Sequence, residues 1–192
     1  MKITQIPWIL IIFRFAVSPH IIVMWLSKVD GSWFLPVLVL AVLSDIFDGV
    51  IARRQHSVTE KLRLFDSYTD ALLFITVWFV IFARDWKLLI PYRLWMLTLI
   101  AVQLFSYLIP LIKFGRFPSY HAYTAKIWAL GLLVSEISLL CYHTAGIYLI
   151  MAIGLGFLSN LDGITISIPL PEWKQDVKST FVALRIRRDT QH

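Results

Sequence analysis

Four aspartates sit where an apolar chain has little reason to place charge. Asp45 and Asp48 are three residues apart, and Asp66 and Asp70 four apart, in the stretch SDIFDGVIARRQHSVTEKLRLFDSYTD from Ser44 to Asp70. Such spacings put each pair on one face of its own helix. The flanking segments read as membrane-spanning, where an ionised carboxylate costs several kcal/mol and is functional by default. Four carboxylates drawn together cannot all stay ionised without compensating positive charge. Divalent cations supply it, and hard oxygen ligands favour Mg²⁺, Mn²⁺ or Ca²⁺. The blander readings are a first-turn dipole partner for Asp66 and a buried ion pair of Asp48 with Arg14 or Arg53. Either suits a single aspartate. Four on converging faces favour function.

The chain that positions them has 192 residues, 58% of them hydrophobic and 15% aromatic, with 8 Trp. That does not suit a soluble domain, and the aromatic content is what membrane-interface belts require. The net charge of +6 comes from basic residues in short segments between apolar runs. This is the distribution of cytoplasmic loops facing anionic lipid, so no nucleic-acid partner is expected. The lone cysteine, Cys141, excludes an internal disulfide and any multi-cysteine metal site. The apolar run from Ile6 to Leu26 is too long for a cleaved signal sequence and carries Arg14, so it reads as a first spanning helix.

The expected fold is an all-α integral membrane protein with six transmembrane helices, at 6–27, 33–52, 65–84, 88–112, 120–142 and 145–167. Each is near the ~20 residues that a bilayer requires. Turns are expected at 28–32 and 85–87 and at His143–Thr144, with polar basic loops at 53–64 and 113–119. A five-span alternative has the Pro-containing segment 164–171 end the last helix early. Lys2, Arg53, Arg54, Lys61, Arg63, Lys113, Arg116 and the tail from Lys174 to Arg188 fall on one side. Lys28, Arg84 and Lys87 are nearly all the other side has. The positive-inside rule then makes the N- and C-termini cytoplasmic. A transmembrane domain over 1–170 and a basic, membrane-surface tail over 171–192 follow.

In this topology the second helix runs inward and ends near Arg53, so Asp48 and Asp45 lie about 8 and 12 Å from that end. The third helix starts near Leu64 and runs outward, with Asp66 shallow and Asp70 deeper. All four carboxylates therefore meet just inside the cytoplasmic face. Gly49 and Ala52, small residues beside them, allow close helix approach or leave room for a ligand. Arg14 sits at the same depth and fits either a phosphate-binding role or an ion pair with an aspartate. The segment 113–126 gathers Arg116, Tyr120, His121, Tyr123 and Lys126. Arg116 and Lys126 can serve as anion ligands for a phosphorylated substrate, or simply obey the positive-inside rule. Asn160 and Asp162 read as helix caps.

The residues Asp45-x-x-Asp48-Gly49-x-x-Ala52-Arg53 and Asp66-x-x-x-Asp70 resemble the signature of the CDP-alcohol phosphotransferases. That signature is D-x-x-D-G-x-x-A-R, eight residues, then G-x-x-x-D-x-x-x-D, and every spacing matches. One position departs, because the second glycine falls on Leu62. The resemblance implies an integral membrane enzyme of phospholipid synthesis. It would transfer a phosphatidyl group from a CDP-linked donor, most simply CDP-diacylglycerol, to an alcohol, with release of CMP. Two ions, Mg²⁺ or Mn²⁺, are implied: Asp45, Asp48 and Asp66 would hold one, while Asp48, Asp66 and Asp70 would frame the second. Asp70 would also be the catalytic base, and Gly49, Ala52 and Arg53 would border the CDP moiety. A homodimer in the cell (inner) membrane, with its active site facing the cytoplasm, completes the implied picture.

Two rival readings stand beside it. A divalent-cation transporter also uses intramembrane carboxylates, but here no acidic path continues through the other spans. A catalytically silent family member would have Leu62 as its only support.

Overall fold

The computed structural model describes residues 6–54, 60–117, 120, 122–174 and 177–190; within these, the side chains at 48–50, 52–54, 60, 63 and 190 lie outside the described set. Among the described residues seven α-helices follow one another: α1 Ile6–Leu26, α2 Phe34–Arg54, α3 Glu60–Leu89, α4 Arg93–Phe114, α5 Tyr123–Tyr142, α6 Gly146–Ser167 and α7 Thr180–Thr190. No strand occurs among the described residues. Among the described residues, four stretches are long and apolar enough to cross a membrane: Ile6–Leu26, Leu64–Phe114, Tyr123–Tyr142 and Gly146–Ser167; Gly31–Phe47 is a shorter apolar helix. Large apolar side chains face outward along them, among them Ile12, Leu94, Trp95, Leu104 and Ile112 at 76% exposure. A surface of that kind is matched to lipid rather than water.

The chain forms two compact units, Met1–Lys87 with Glu136–Thr144, and Leu88–Ser135 with Ala145–His192. In the first, α1 packs along α2. Its buried residues Pro7, Ile11, Arg14, Val17, Ser18, Ile21 and Met24 recur at intervals of three and four. That spacing is a single helical face, and it carries Arg14 inward with its apolar neighbours.

The far end of this unit is held by Arg84. Its Nη2 donates to the carbonyls of Leu139 (3.1 Å) and Leu140 (2.6 Å) in the last turns of α5, and its guanidinium lies 5.5 Å from the Phe34 ring centroid. A cation at a helix C-terminus satisfies orphan carbonyls and meets the negative end of the dipole. Asp85 pairs with Arg84 and with His143 Nδ1 at 3.0 Å. Its backbone leaves the helical region there (φ −122°, ψ 24°).

The turn expected at 85–87 is thus a kink at Asp85, and the helix proper ends later. A 3₁₀ turn at Ile90–Tyr92, with Pro91 near its start, follows. Proline lacks the N–H that would continue the α-helical ladder. The expected turn at 28–32 is a 3₁₀ turn, Gly31–Trp33, capped by Asp30. The Ser32 hydroxyl and then its backbone N–H hold the exposed Asp30 carboxyl below its usual range.

In the second unit α4 packs on α6, and α6 on α7. Asn160 accepts from Ser106 Oγ at 2.9 Å and donates to the Gly156 carbonyl. Asp162 accepts from Thr124 and from Thr180. The two residues expected to be caps instead join helices, because buried amide and carboxylate groups need partners that apolar faces lack. Lys113 Nζ donates to the carbonyls of Ser167, Ile168 and Leu170, closing the end of α6. Helix α5 begins at Tyr123 rather than 120. Tyr120 and Ala122 join an apolar cluster with Ile166, Leu170, Val177 and Ala183.

Gly31 approaches the end of α5 closely. A Cβ there would lie 2.8 Å from the Cys141 carbonyl oxygen and 2.9 Å from that of Leu140. Both are backbone atoms and cannot rotate away. Gly31→Ala should therefore destabilise the protein by about 1–3 kcal/mol through overpacking, read as a lower melting temperature in detergent. An unchanged melting temperature would refute this contact.

Candidate metal centre

Three helices of the first unit meet at one charged point. Arg14, on the buried face of α1, is 1% exposed. Its Nη1 lies 3.2 Å from Asp45 Oδ1 of α2 and 2.9 Å from Asp66 Oδ1 of α3, and it also hydrogen-bonds Asp70 Oδ1 one turn further along α3. Carboxylate oxygens of Asp45, Asp66 and Asp70 come within 4.8 Å of one another. The aspartate side chains are 49%, 36% and 47% exposed. A buried guanidinium thus underlies three carboxylates that keep contact with the outside.

The sequence produces this locally by helical spacing. Asp66 and Asp70 differ by four residues and so stand one above the other on α3. The neighbouring hydroxyls turn away from the cluster: Ser44 Oγ bonds the Ala41 carbonyl and Thr69 Oγ1 the Asp66 carbonyl. A buried guanidinium is tolerated only when paired and hydrogen-bonded, and here its Nη1 faces all three carboxylates.

The other expected site residues divide as follows. Asp48, Gly49, Ala52 and Arg53 belong to the last turns of α2, and their side chains lie outside the described residues. Arg14 sits among the aspartates, as the ion-pair alternative anticipated. Its meeting with three of them, rather than one, is what sequence reasoning missed. The three- and four-residue spacing of apolar residues around Arg14 was the available signal.

Leu62, at the position where the signature has glycine, is 6% exposed and packs with Ile11 of α1. Its side chain fills apolar space between helices while the aspartate cluster stays assembled. Arg116 and Lys126 are exposed and belong to the second unit. The Arg116 guanidinium lies 5.0 Å from the Trp173 ring centroid. His121 lies outside the described residues.

A family model for CDP-alcohol phosphatidyltransferases matches residues 4–169. The chain belongs to the CDP-alcohol phosphatidyltransferase family. Comparisons with curated proteins and with solved structures return no match. The matched region contains all four aspartates, and with its apolar helices identifies an integral membrane protein of a phosphotransferase family that works in phospholipid synthesis.

This family uses divalent metals, and the cluster fits one. Three carboxylates against one guanidinium leave a formal charge of −2, which a divalent cation balances. Oxygen atoms within 4.8 Å of one another are spaced on the scale of a single ion's coordination shell, whose ligand distances are about 2.0–2.6 Å for Mg²⁺ and Ca²⁺. The donor set is all hard oxygen, as these ions prefer.

Without Arg14, a bound cation would carry more of the task of offsetting the mutual repulsion of the carboxylates. Arg14→Ala should cost about 2 kcal/mol in chelator, the partial exposure of the aspartates keeping it below a fully buried pair. Adding Mg²⁺ or Mn²⁺ should then raise the melting temperature of the variant more than that of the native protein. Equal metal-induced shifts would contradict the charge-balance reading.

Proposed function

We propose that this chain transfers a phosphatidyl group from a CDP-linked donor, CDP-diacylglycerol, to the hydroxyl of an alcohol and releases CMP. The observation that carries the proposal is the convergence of Asp45, Asp66 and Asp70 within 4.8 Å, inside the region that the family model matches. In the reaction the acceptor oxygen bonds to the phosphatidyl phosphorus, and the bond from that phosphorus to the CMP oxygen breaks. Asp45, Asp48, Asp66 and Asp70 would hold two ions, Mg²⁺ or Mn²⁺. Bound there, they would neutralise the pyrophosphate and orient an in-line displacement.

The remaining roles fall to the chain itself. Asp70 takes the acceptor proton as the new bond forms, a task suited to a carboxylate within reach of the hydroxyl. Gly49, Ala52 and Arg53 border the CDP moiety, with glycine permitting a flat ligand to press on the backbone. Arg14 holds the carboxylates together and lends positive charge to the donor phosphate. Arg116 and Lys126 meet the phosphate of a phosphorylated acceptor. Leu62 is a packing residue compatible with activity, since it is buried against Ile11 while the aspartates converge.

The placement in the membrane follows from charge and length. The run Leu64–Phe114 has 51 residues, which as straight helix would measure about 76 Å at 1.5 Å per residue. The hydrocarbon core is about 30 Å, and the kink at Asp85 with the 3₁₀ turn after it divides the run. We count α1 to α6 as six spans, with both termini and the segments 53–64 and 113–119 cytoplasmic. Residues 1–170 would then be the catalytic domain and 171–192 a membrane-surface tail. The enzyme would work as a homodimer in the cell (inner) membrane, with its site open to the cytoplasm.

The test is CMP release by purified protein in detergent or lipid, with CDP-diacylglycerol, Mg²⁺ or Mn²⁺, and a panel of alcohols. CMP should form only with an accepted alcohol, and Asp70→Asn should lower the rate by about 10²–10⁴-fold, the scale of a lost general base. Release that ignores the acceptor, or that survives Asp70→Asn intact, would overturn the proposal.

A further inference from the structure

Helix α7 lies beyond the family match, which ends at residue 169, and its two faces differ sharply. One face is committed to the protein. Ala183 is fully buried and packs with Tyr120, Ala122, Ile166, Leu170 and Val177, with Ile186 against the same cluster. The helix start is fastened by hydrogen bonds. Thr180 Oγ1 donates to Asp162 Oδ1 at 2.9 Å and lies 2.7 Å from Thr165 Oγ1. Just before α7 the Lys178 carbonyl accepts from the Tyr123 backbone N–H. These ties fix the rotation of α7 about its axis, so its outer face is set by the fold.

That outer face presents Phe181 at 84% exposure and Leu184 at 49%, with Arg185, Arg187 and Arg188 exposed around them. At 100° per residue these five side chains fall within less than half of the helical circumference. Large apolar residues left outside by a fixed helix, and edged by arginine, are the composition of a helix lying in a bilayer interface. Trp173 is nearby in sequence, with its Nε1 bonded to the Phe117 carbonyl and the Arg116 guanidinium over its ring. Indoles and cations of this kind favour the headgroup level.

We propose that the outer face of α7 docks on an anionic lipid surface. Phe181 and Leu184 enter the boundary between headgroups and acyl chains, while Arg185, Arg187 and Arg188 bind lipid phosphates. Charge complementarity selects this occupant, because three arginines beside the apolar pair oppose a neutral or cationic partner. The inference rests on the chain being embedded in a membrane and is independent of the transfer reaction.

The test uses the full chain in nanodiscs of phosphatidylcholine, or of phosphatidylcholine mixed with phosphatidylglycerol. Nitroxides are attached to Leu184→Cys, Phe181→Cys and, on the helix flank, Asp189→Cys, with Cys141→Ser removing the native thiol. Accessibility to oxygen and to a water-soluble nickel chelate is read at each position. The labels at 181 and 184 should be oxygen-accessible and nickel-protected in the anionic discs, with Asp189→Cys open to nickel. The protection should weaken in pure phosphatidylcholine and in an R185Q/R187Q/R188Q background. Nickel access at 184 equal to that at 189 in both lipids would overturn the proposal. So would protection from both reagents, which would place the face against a second copy, and so would embedding indifferent to anionic lipid and arginine.

Discussion

The aspartate cluster of the first unit is gathered on one buried guanidinium. With oxygens of Asp45, Asp66 and Asp70 within 4.8 Å, each pair of full charges would repel by about 3 kcal/mol at an effective dielectric of 20, before solvent screening. Arg14 converts that repulsion into attachment. It ties α1 to α2 and to two successive turns of α3 through a single side chain. The apolar face of α1 supplies the burial, and the buried charge in turn fixes which face of each helix points inward. Stability and readiness for a cation therefore come from the same contacts. The charge left over by one guanidinium against three carboxylates is negative, which would attract a cation.

This arrangement separates support from chemistry. Arg14 is nearly inaccessible, whereas the three aspartates are one-third to one-half exposed. The carboxylates are open on the side away from Arg14, whose positive charge holds the group together. Leu62 belongs to the support. By packing with Ile11 it fills space next to α1 that a glycine would leave empty, so its departure from the family signature is one of packing.

The meeting of Asp45, Asp66 and Asp70 was legible in the sequence because carboxylates at helical spacing in apolar runs share a face; the side chain of Asp48 lies outside the described residues. The helices were legible because apolar runs of bilayer length leave few alternatives. Boundaries were less so. The expected turn at 85–87 proved to be a kink at Asp85 before a proline-marked 3₁₀ turn, since side-chain pairing with Arg84 and His143 bends the chain before it breaks. Asn160 and Asp162 resembled caps because polar residues near helix ends usually are. Their real partners, Ser106, Thr124 and Thr180, are distant in sequence and visible only after folding. The role of Arg14 was half legible: its depth matched the aspartates, but meeting three of them at once depends on how α1 packs. For α7, the alternation of charged and apolar residues suggested a surface tail, and only packing decided which residues turn outward.

Whether the aspartates gathered on Arg14 bind a divalent cation is answered by Mn²⁺ titration followed by electron paramagnetic resonance. The purified full chain, stripped by chelator, should remove free Mn²⁺ signal on titration. Mg²⁺ should compete, and Asp66→Asn should lose most of the binding while remaining folded by circular dichroism. Binding that is undiminished in folded Asp66→Asn, or absent from the native chain, would contradict the account.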